Sequence, residues 1–335
     1  MRDLAPWLAA LAGTALTLLL FWPGYTSVDS LHQYRQALAG SYDNVHPPLF
    51  AFAWRQLDRL VTGSGAMHAL LVAGFWTGLA RTLWEMPMPA RARVAAFAAI
   101  GLWPPVLLIV AHVWKDVAMA AALLLACGAC LRWRRHARRR DLTAALAWLA
   151  LAVAMRHNAW PAALPFVALL FPARDRPLFP ARRSLRGGAP LAAIALAGAL
   201  AIVPWLVEAA LGAERKRLWP TVALWDLAAV SIATGEVRLP REVAPTVTLA
   251  DLEAHYRSWS CVPLYESGKI RLALNSPYTD ADSAAVDRAW LSAVRDAPGP
   301  YLAHRGRVLA GLYLAPPSDA PRELVYVPAH HVESP

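Results

Sequence analysis

Two carboxylates, Asp29 and Asp43, and two histidines, His32 and His46, fall inside one polar stretch, residues 22–65, which also carries the Pro47-Pro48 step. Farther along, charged and polar groups return in short sets: Lys115-Asp116, then Arg156-His157-Asn158, then Arg215. Carboxylates beside cations suit group transfer to a hydroxyl or amine. One carboxylate takes the acceptor proton, and cations stabilise a phosphate leaving group. Apolar surroundings favour raising a carboxylate pKa toward that of a useful base. Asp and His together can also hold a divalent metal ion, although no tight ligand spacing demands one.

Each of these residues also has a plainer reading. Asp29 can cap a helix over 30–39, and Asp43, beside Asn44, suits turn chemistry. His46, before the proline pair, can pack against a following helix. Lys115 and Asp116 can form a local ion pair at a helix start, and Arg156-His157-Asn158 can be a helix end reaching toward water.

The elements that must position these groups are membrane elements. Apolar residues make up 57% of the chain and charged residues only 17%, a composition of membrane proteins rather than soluble domains. The net charge of +10 invites a nucleic-acid reading until it is split by region. Residues 1–211 hold 20 Lys and Arg against 9 Asp and Glu, whereas 212–335 hold 13 against 14. The excess belongs to the membrane half, where loop arginines set topology, so nucleic acid is not an expected partner.

Segments apolar enough to span lie near 4–22, 66–84, 94–112, 116–131, 142–156, 159–172 and 189–211. The first, Leu4–Phe21, is too long for a signal-peptide core and reads as a retained anchor. With the N-terminus inside, inner segments hold 15 arginines, and outer segments up to residue 188 hold 5 Lys and Arg. That bias fits seven spans with 212–335 external. Every candidate site residue then falls at an outer helix end. Two short helices are expected in the first external loop. One covers 30–39, capped by Asp29 or Ser30. The other is an amphipathic helix over 47–62, started by the proline pair, with Leu49, Phe52, Ala53, Leu57 and Leu60 on its apolar face. In the tail, Thr248-x-x-Asp251 opens a helix and 281–297 forms another, while His304, Arg305 and Arg307 make 300–314 a poor span. Trp7, Trp22, Trp103, Trp114, Trp160 and Trp205 suit interfacial anchoring. Cys127 and Cys130 form a CxxC inside an apolar helix, where helix packing is the expected role.

An N-terminal span, an external loop with Asp29, and HPPL at 46–49 together resemble the polyprenyl-phosphate-sugar-dependent glycosyltransferases of the C superfamily. That superfamily includes protein mannosyltransferases and bacterial aminoarabinose transferases. PGYTSVDSLHQYRQA, NVHPPLF, WKD at 114–116, RHN at 156–158 and LWDLAAVS at 224–231 look like a family of bacterial multi-pass proteins of that architecture. The resemblance covers roughly 15–235 and, more faintly, 285–312. It implies an all-α polytopic membrane protein with about seven transmembrane helices and interface helices in the first external loop. It divides the chain into a glycosyltransferase C-like module over 1–211 and a small, mainly helical external region over 212–335. It further implies transfer of a sugar from a polyprenyl-phosphate carrier to a glycan, lipid or protein acceptor outside the bacterial inner membrane. Asp29 matches the catalytic aspartate, with Asp116 or Asp43 as second acid. Lys115, Arg156, His157, Asn158, His46 and Arg215 are then the expected contacts to substrate and phosphate. A transporter or flippase, or a non-catalytic membrane subunit, stands as the rival class. Transporters usually show internal repeats and ionisable groups at mid-membrane, and neither is visible in this sequence.

Overall fold

The computed structural model describes residues 4–156, 159–171, 189–271 and 278–313. It divides into two compact units, the first running to Glu214 and the second beginning at Arg215. Among the described residues the structure is helical, with two isolated β-bridges, Tyr25–His112 and Asp43–Glu214.

The first unit contains α1 (Ala5–Phe21), α2 (Val28–Ala39), α3 (Pro48–Asp58), α4 (Gly65–Glu85) and α5 (Ala90–Gly101). It continues with α6 (Pro104–Val110), α7 (Lys115–His136), α8 (Arg139–Ala154), α9 (Trp160–Leu170) and α10 (Ala189–Ala210). Each apolar segment of the sequence is thus helical, but 94–112, expected as one span, is divided between α5 and α6. By length and composition two described helices can cross a membrane, Lys115–His136 and Pro190–Ala210. A third span is available if α5 and α6 act as one, bent by 64°. The bend has a local cause. Trp103 precedes Pro104, which disfavours helical backbone at Trp103, and Pro104 and Pro105 bring no N–H to the ladder. Helices α1 and α9 are apolar but shorter.

α7 is the central rod of this unit, packed on α4, α8 and α9. Its approach to α4 depends on small residues. A Cβ at Gly78 would meet Leu124 Cβ at 2.7 Å and Ala121 O at 3.1 Å, so only glycine permits the crossing. Thr82 seals the same seam by donating to Leu124 O at 2.7 Å. On the other face of α4, Trp76 donates to Thr17 Oγ1 of α1 at 2.9 Å.

α2 and α3 form a short hairpin at one end of the rod. Arg55 of α3 donates to Ala37 O at 2.8 Å and Leu38 O at 3.0 Å, satisfying carbonyls at the end of α2. Tyr34 donates to Asp58 Oδ1 at 2.7 Å, and the same oxygen accepts Gly63 N–H. One expectation needs correction. The cap of α2 is Ser27, not Asp29 or Ser30; Ser30 instead completes the reciprocal capping box. The buried face of α3 is Phe50, Ala51 and Trp54, while Phe52 and Leu60 are exposed. Of the apolar stripe read from the periodicity, Leu49, Ala53 and Leu57 pack half-buried against the neighbouring core, and Phe52 and Leu60 stay exposed.

The second unit contains α11 (Trp219–Thr234), α12 (Leu249–His255), α13 (Val262–Glu266), α14 (Asp280–Asp296) and α15 (Pro298–Tyr313). Thr248 caps α12 and Thr279 caps α14, each in a capping box with an aspartate three residues on. Leu224, Leu227, Leu252, Leu264 and Val286 form its apolar core.

Candidate active site

The site is built where α2 enters and α7 begins. Tyr25 N–H donates to Ala111 O and Val113 N–H donates to Tyr25 O, both at 2.9 Å. Ser30 Oγ, fully buried, donates to Val113 O at 2.8 Å. Trp114 Nε1 donates to Ser27 Oγ at 2.8 Å, so this tryptophan braces the α2 cap rather than serving only as an interfacial anchor. The first turns of two helices distant in sequence are thereby fastened side by side, backed by a cluster that includes Tyr34, Phe50, Trp54, Met67, Val113 and Val117.

Asp29 projects from the first turn of α2 and Lys115 from the first turn of α7. Lys115 Nζ lies 3.2 Å from Asp29 Oδ2, and His46 Nε2 lies 3.8 Å from Asp29 Oδ1. The Asp29 side chain is 56% exposed, whereas those of Lys115 and His46 are 13% and 14% exposed. An ion pair this wet contributes at most about 1 kcal/mol to stability. The buried hydrogen bonds hold the helices together; the pair is not needed for that. Burial pushes His46 down to about 4, with the Lys115 charge acting the same way and Asp29 opposing it. His46 is therefore neutral at pH 7, which leaves Lys115 as the cation paired with Asp29 among the described residues.

A second layer extends from His46. The rings of His46 and His32 stand edge to face with centroids 5.5 Å apart, and His32 Nε2 is 3.4 Å from Asp43 Oδ2. Gln36 Nε2 donates to Asp43 Oδ1 at 2.8 Å, and that oxygen also accepts Val45 N–H at 3.0 Å. Asp43 Oδ1 thus takes two donors and closes an Asx-type turn, as its plainer reading anticipated. The neighbouring backbone is tied to the end of α10, since Asn44 N–H donates to Glu214 O at 3.0 Å and Glu214 N–H to Tyr42 O at 2.8 Å.

Asp116 pairs with Arg156 at the end of α8. Consecutive helical side chains diverge by about 100°, so Lys115 turns to α2 while Asp116 turns to α8. The expected Lys115–Asp116 pair is replaced by two separate partnerships, and the residue at the cap position of α7, Trp114, makes no side-chain capping bond. His157 and Asn158 lie outside the described residues. Arg215 opens the second unit.

An apolar groove of about 220 Å³ runs along the same helices, with Phe50, Met67, Leu71, Ala118, Leu151 and Met155 in its wall. Ala118 lies one turn along α7 from Lys115, Phe50 four residues after His46, and Met155 immediately before Arg156. Lys115, His46 and Arg156 are therefore each within four residues of the groove's lining in sequence. Among the described residues, no group of three or more His, Cys, Asp or Glu side chains is arranged to hold a metal ion.

The second unit has a polar centre that the sequence did not single out. Asp226, 1% exposed, faces fully buried His304, with Oδ1 and Nε2 3.1 Å apart. Its Oδ2 accepts Trp290 Nε1 at 2.8 Å and Arg305 Nη2 at 2.7 Å. His304 Nδ1 meets the Tyr256 hydroxyl at 2.8 Å, and burial pushes that phenol up. The available signal was a carboxylate inside LWDLAAVS together with His304-Arg305 in an apolar segment. A buried carboxylate needs partners, and these were the nearest candidates in type.

Comparison of the chain with protein-family models, with curated proteins and with solved structures gives no match.

Proposed function

We propose that the protein is a membrane glycosyltransferase of the C type, moving a sugar from a polyprenyl-phosphate carrier to an acceptor at the outer face of a bacterial inner membrane. The observation that carries this reading is the pairing of exposed Asp29 with Lys115, one turn along α7 from Ala118 in the wall of an apolar groove. A carboxylate, a phosphate-competent cation and a slot for an apolar tail are the three parts such a donor requires. The motif resemblance and the arginine bias support the reading from the sequence side, with seven spans, the N-terminus inside and 212–335 outside.

In this mechanism Asp29 is the base. The acceptor hydroxyl gives its proton to Asp29 as its oxygen bonds to the anomeric carbon. The bond from that carbon to the phosphate oxygen breaks on the opposite face, inverting the centre. The carrier leaves as polyprenyl phosphate, its charge met by Lys115 and by Arg156. Asp116 orients Arg156 and is a positioning residue, while Asp43 and His32 fix the loop that presents His46. A divalent ion bound near Asp29 would add charge stabilisation, and none of these steps depends on one.

The test compares lipid extracts from deletion and wild-type cells, with complementation by wild-type protein or Asp29→Asn. The reading expects an accumulated polyprenyl-phosphate sugar or a missing glycan, restored by wild-type protein and not by the variant. Identical extracts from all strains would overturn it.

A further inference from the structure

Two cavities of about 390 and 350 Å³ adjoin at the other end of α4 and α7, sharing Arg81, Arg132 and His136 in their walls. The first is completed by Trp7, Trp84, Glu85 and Arg135, the second by Arg138, Arg140 and Asp141. Seventeen residues separate Arg132 from Lys115 along one continuous helix, about 25 Å at 1.5 Å per residue. This place is therefore remote from Asp29 and independent of the transferase reading.

Arginines at helix ends are what membrane topology requires, and most such residues simply face water. Three features set this group apart. The cations are gathered around two open clefts rather than spread along a loop. Charge is not balanced: five guanidinium groups line the two cavities against two carboxylates, a surplus of three positive charges. Glu85 is engaged by Arg135 at 3.2 Å and Asp141 by Arg132 at 3.1 Å, and Arg138 and Arg140 have no ion pair among the described residues. The geometry is also braced, since Arg81 stacks 5.0 Å from the Trp7 ring and Arg135 also donates to the Glu85 carbonyl. Held guanidinium groups with spare donors match the paired oxygens of a phosphate.

We propose that these cavities form a binding site for a phosphate-bearing anion, distinct from the Asp29 site and at the opposite end of the helices. With the N-terminus inside, the site faces the inner leaflet, where basic pockets between helices take anionic headgroups. The same chemistry would accept a soluble phosphate compound, and the experiment separates the two sources.

Full-length protein is purified in a neutral detergent, and its melting temperature is followed while phosphatidylglycerol or cardiolipin is added, with phosphatidylcholine as the neutral reference. A parallel series adds inorganic pyrophosphate without lipid. Stabilisation by the anionic lipids alone identifies a headgroup, and stabilisation by pyrophosphate alone identifies a soluble ligand. Stabilisation by both identifies a site that reads the phosphate itself. In each case Arg138→Gln combined with Arg140→Gln should raise the half-saturating concentration by about tenfold. If neither anion stabilises the wild-type protein above the neutral reference, or if the double variant responds like wild type, the proposal is wrong. The wild-type comparison decides by itself should the double variant fail to fold.

Discussion

Lys115 Nζ sits 3.2 Å from Asp29 Oδ2 across 86 positions of sequence. The contact arises from backbone and serine hydrogen bonds that fasten residues 25–30 to residues 111–114, not from attraction between the charges. An exposed carboxylate held beside a mostly covered ammonium keeps its open side for another molecule.

Replacing Asp29 with Asn separates chemistry from architecture. Because Ser27 is the cap, Asp29→Asn should leave α2 and membrane expression intact. Sugar transfer should fall by on the order of 10²–10⁴, the usual worth of a general base. Transfer at near wild-type rate in isolated membranes would move the base elsewhere, with Asp116 next in line.

Filling the groove should act on the donor rather than on the proton. Ala118→Phe introduces a ring into the groove wall one turn from Lys115. The KM for a long-chain donor should rise by about tenfold, or about 1.4 kcal/mol, with kcat nearly unchanged. A short-chain donor should be affected less, and equal losses for both chains would argue against a tail in this groove.

His46 sets an acid limit. Its folded-state pKa of about 4 lies below the ordinary value of 6.5, so the unfolded chain takes up the proton first as pH falls. The stability contributed by keeping it neutral is complete above about pH 6.5 and is lost progressively toward about pH 4, up to about 3 kcal/mol. Melting temperatures from about pH 8 to about pH 4 should show this decline, and His46→Gln should flatten that part of the profile. An unchanged profile in the variant would place the acid sensitivity in another group.

Asp226 should matter to folding. Asp226→Ala leaves His304, Trp290 and Arg305 without their shared acceptor and should cost about 3–5 kcal/mol. Limited proteolysis of the full-length protein should then cut within 215–313 at lower protease than in wild type. Resistance equal to wild type would mean that the apolar core alone holds this unit.

Topology has a direct check. In a chain with Cys261 replaced by Ser, a cysteine near Ser283, at exposed Ala281, should react with an impermeant maleimide in intact cells, and one placed near Ala137 should not. Labelling at Ala137 would put the Asp29 site on the inner face and remove the transferase geometry.

Much of the helical scaffold was legible because apolar runs and proline positions act locally. Pro47-Pro48 announced the start of α3, and Thr248-x-x-Asp251 announced a capped start, whereas the break at Pro104-Pro105 inside the segment 94–112 was not read. The cap of α2 was harder to place, since Ser27, Asp29 and Ser30 are all competent caps within four residues. Only the turn that Ser30 makes toward Val113 decides among them. The inner face of α3 was not legible, because Phe50 and Trp54 form a second apolar stripe beside Leu49, Ala53 and Leu57, and periodicity cannot rank the two by burial. The partners of Lys115 and Asp116 were not legible at all, because a local pair satisfies sequence reasoning and the true partners come from α2 and from Arg156 after α8.

α7 also imposes a constraint of angular register. One unbroken helix of 22 residues carries Lys115 and Asp116 at its start and Arg132, Arg135 and His136 at its end. Deleting one residue between Ala120 and Leu131 would rotate one end against the other by about 100° and shorten the rod by about 1.5 Å. No loop inside the helix could absorb that error. Substitutions along the rod can be tolerated singly, but a change in its length must disorient one set of charges or the other.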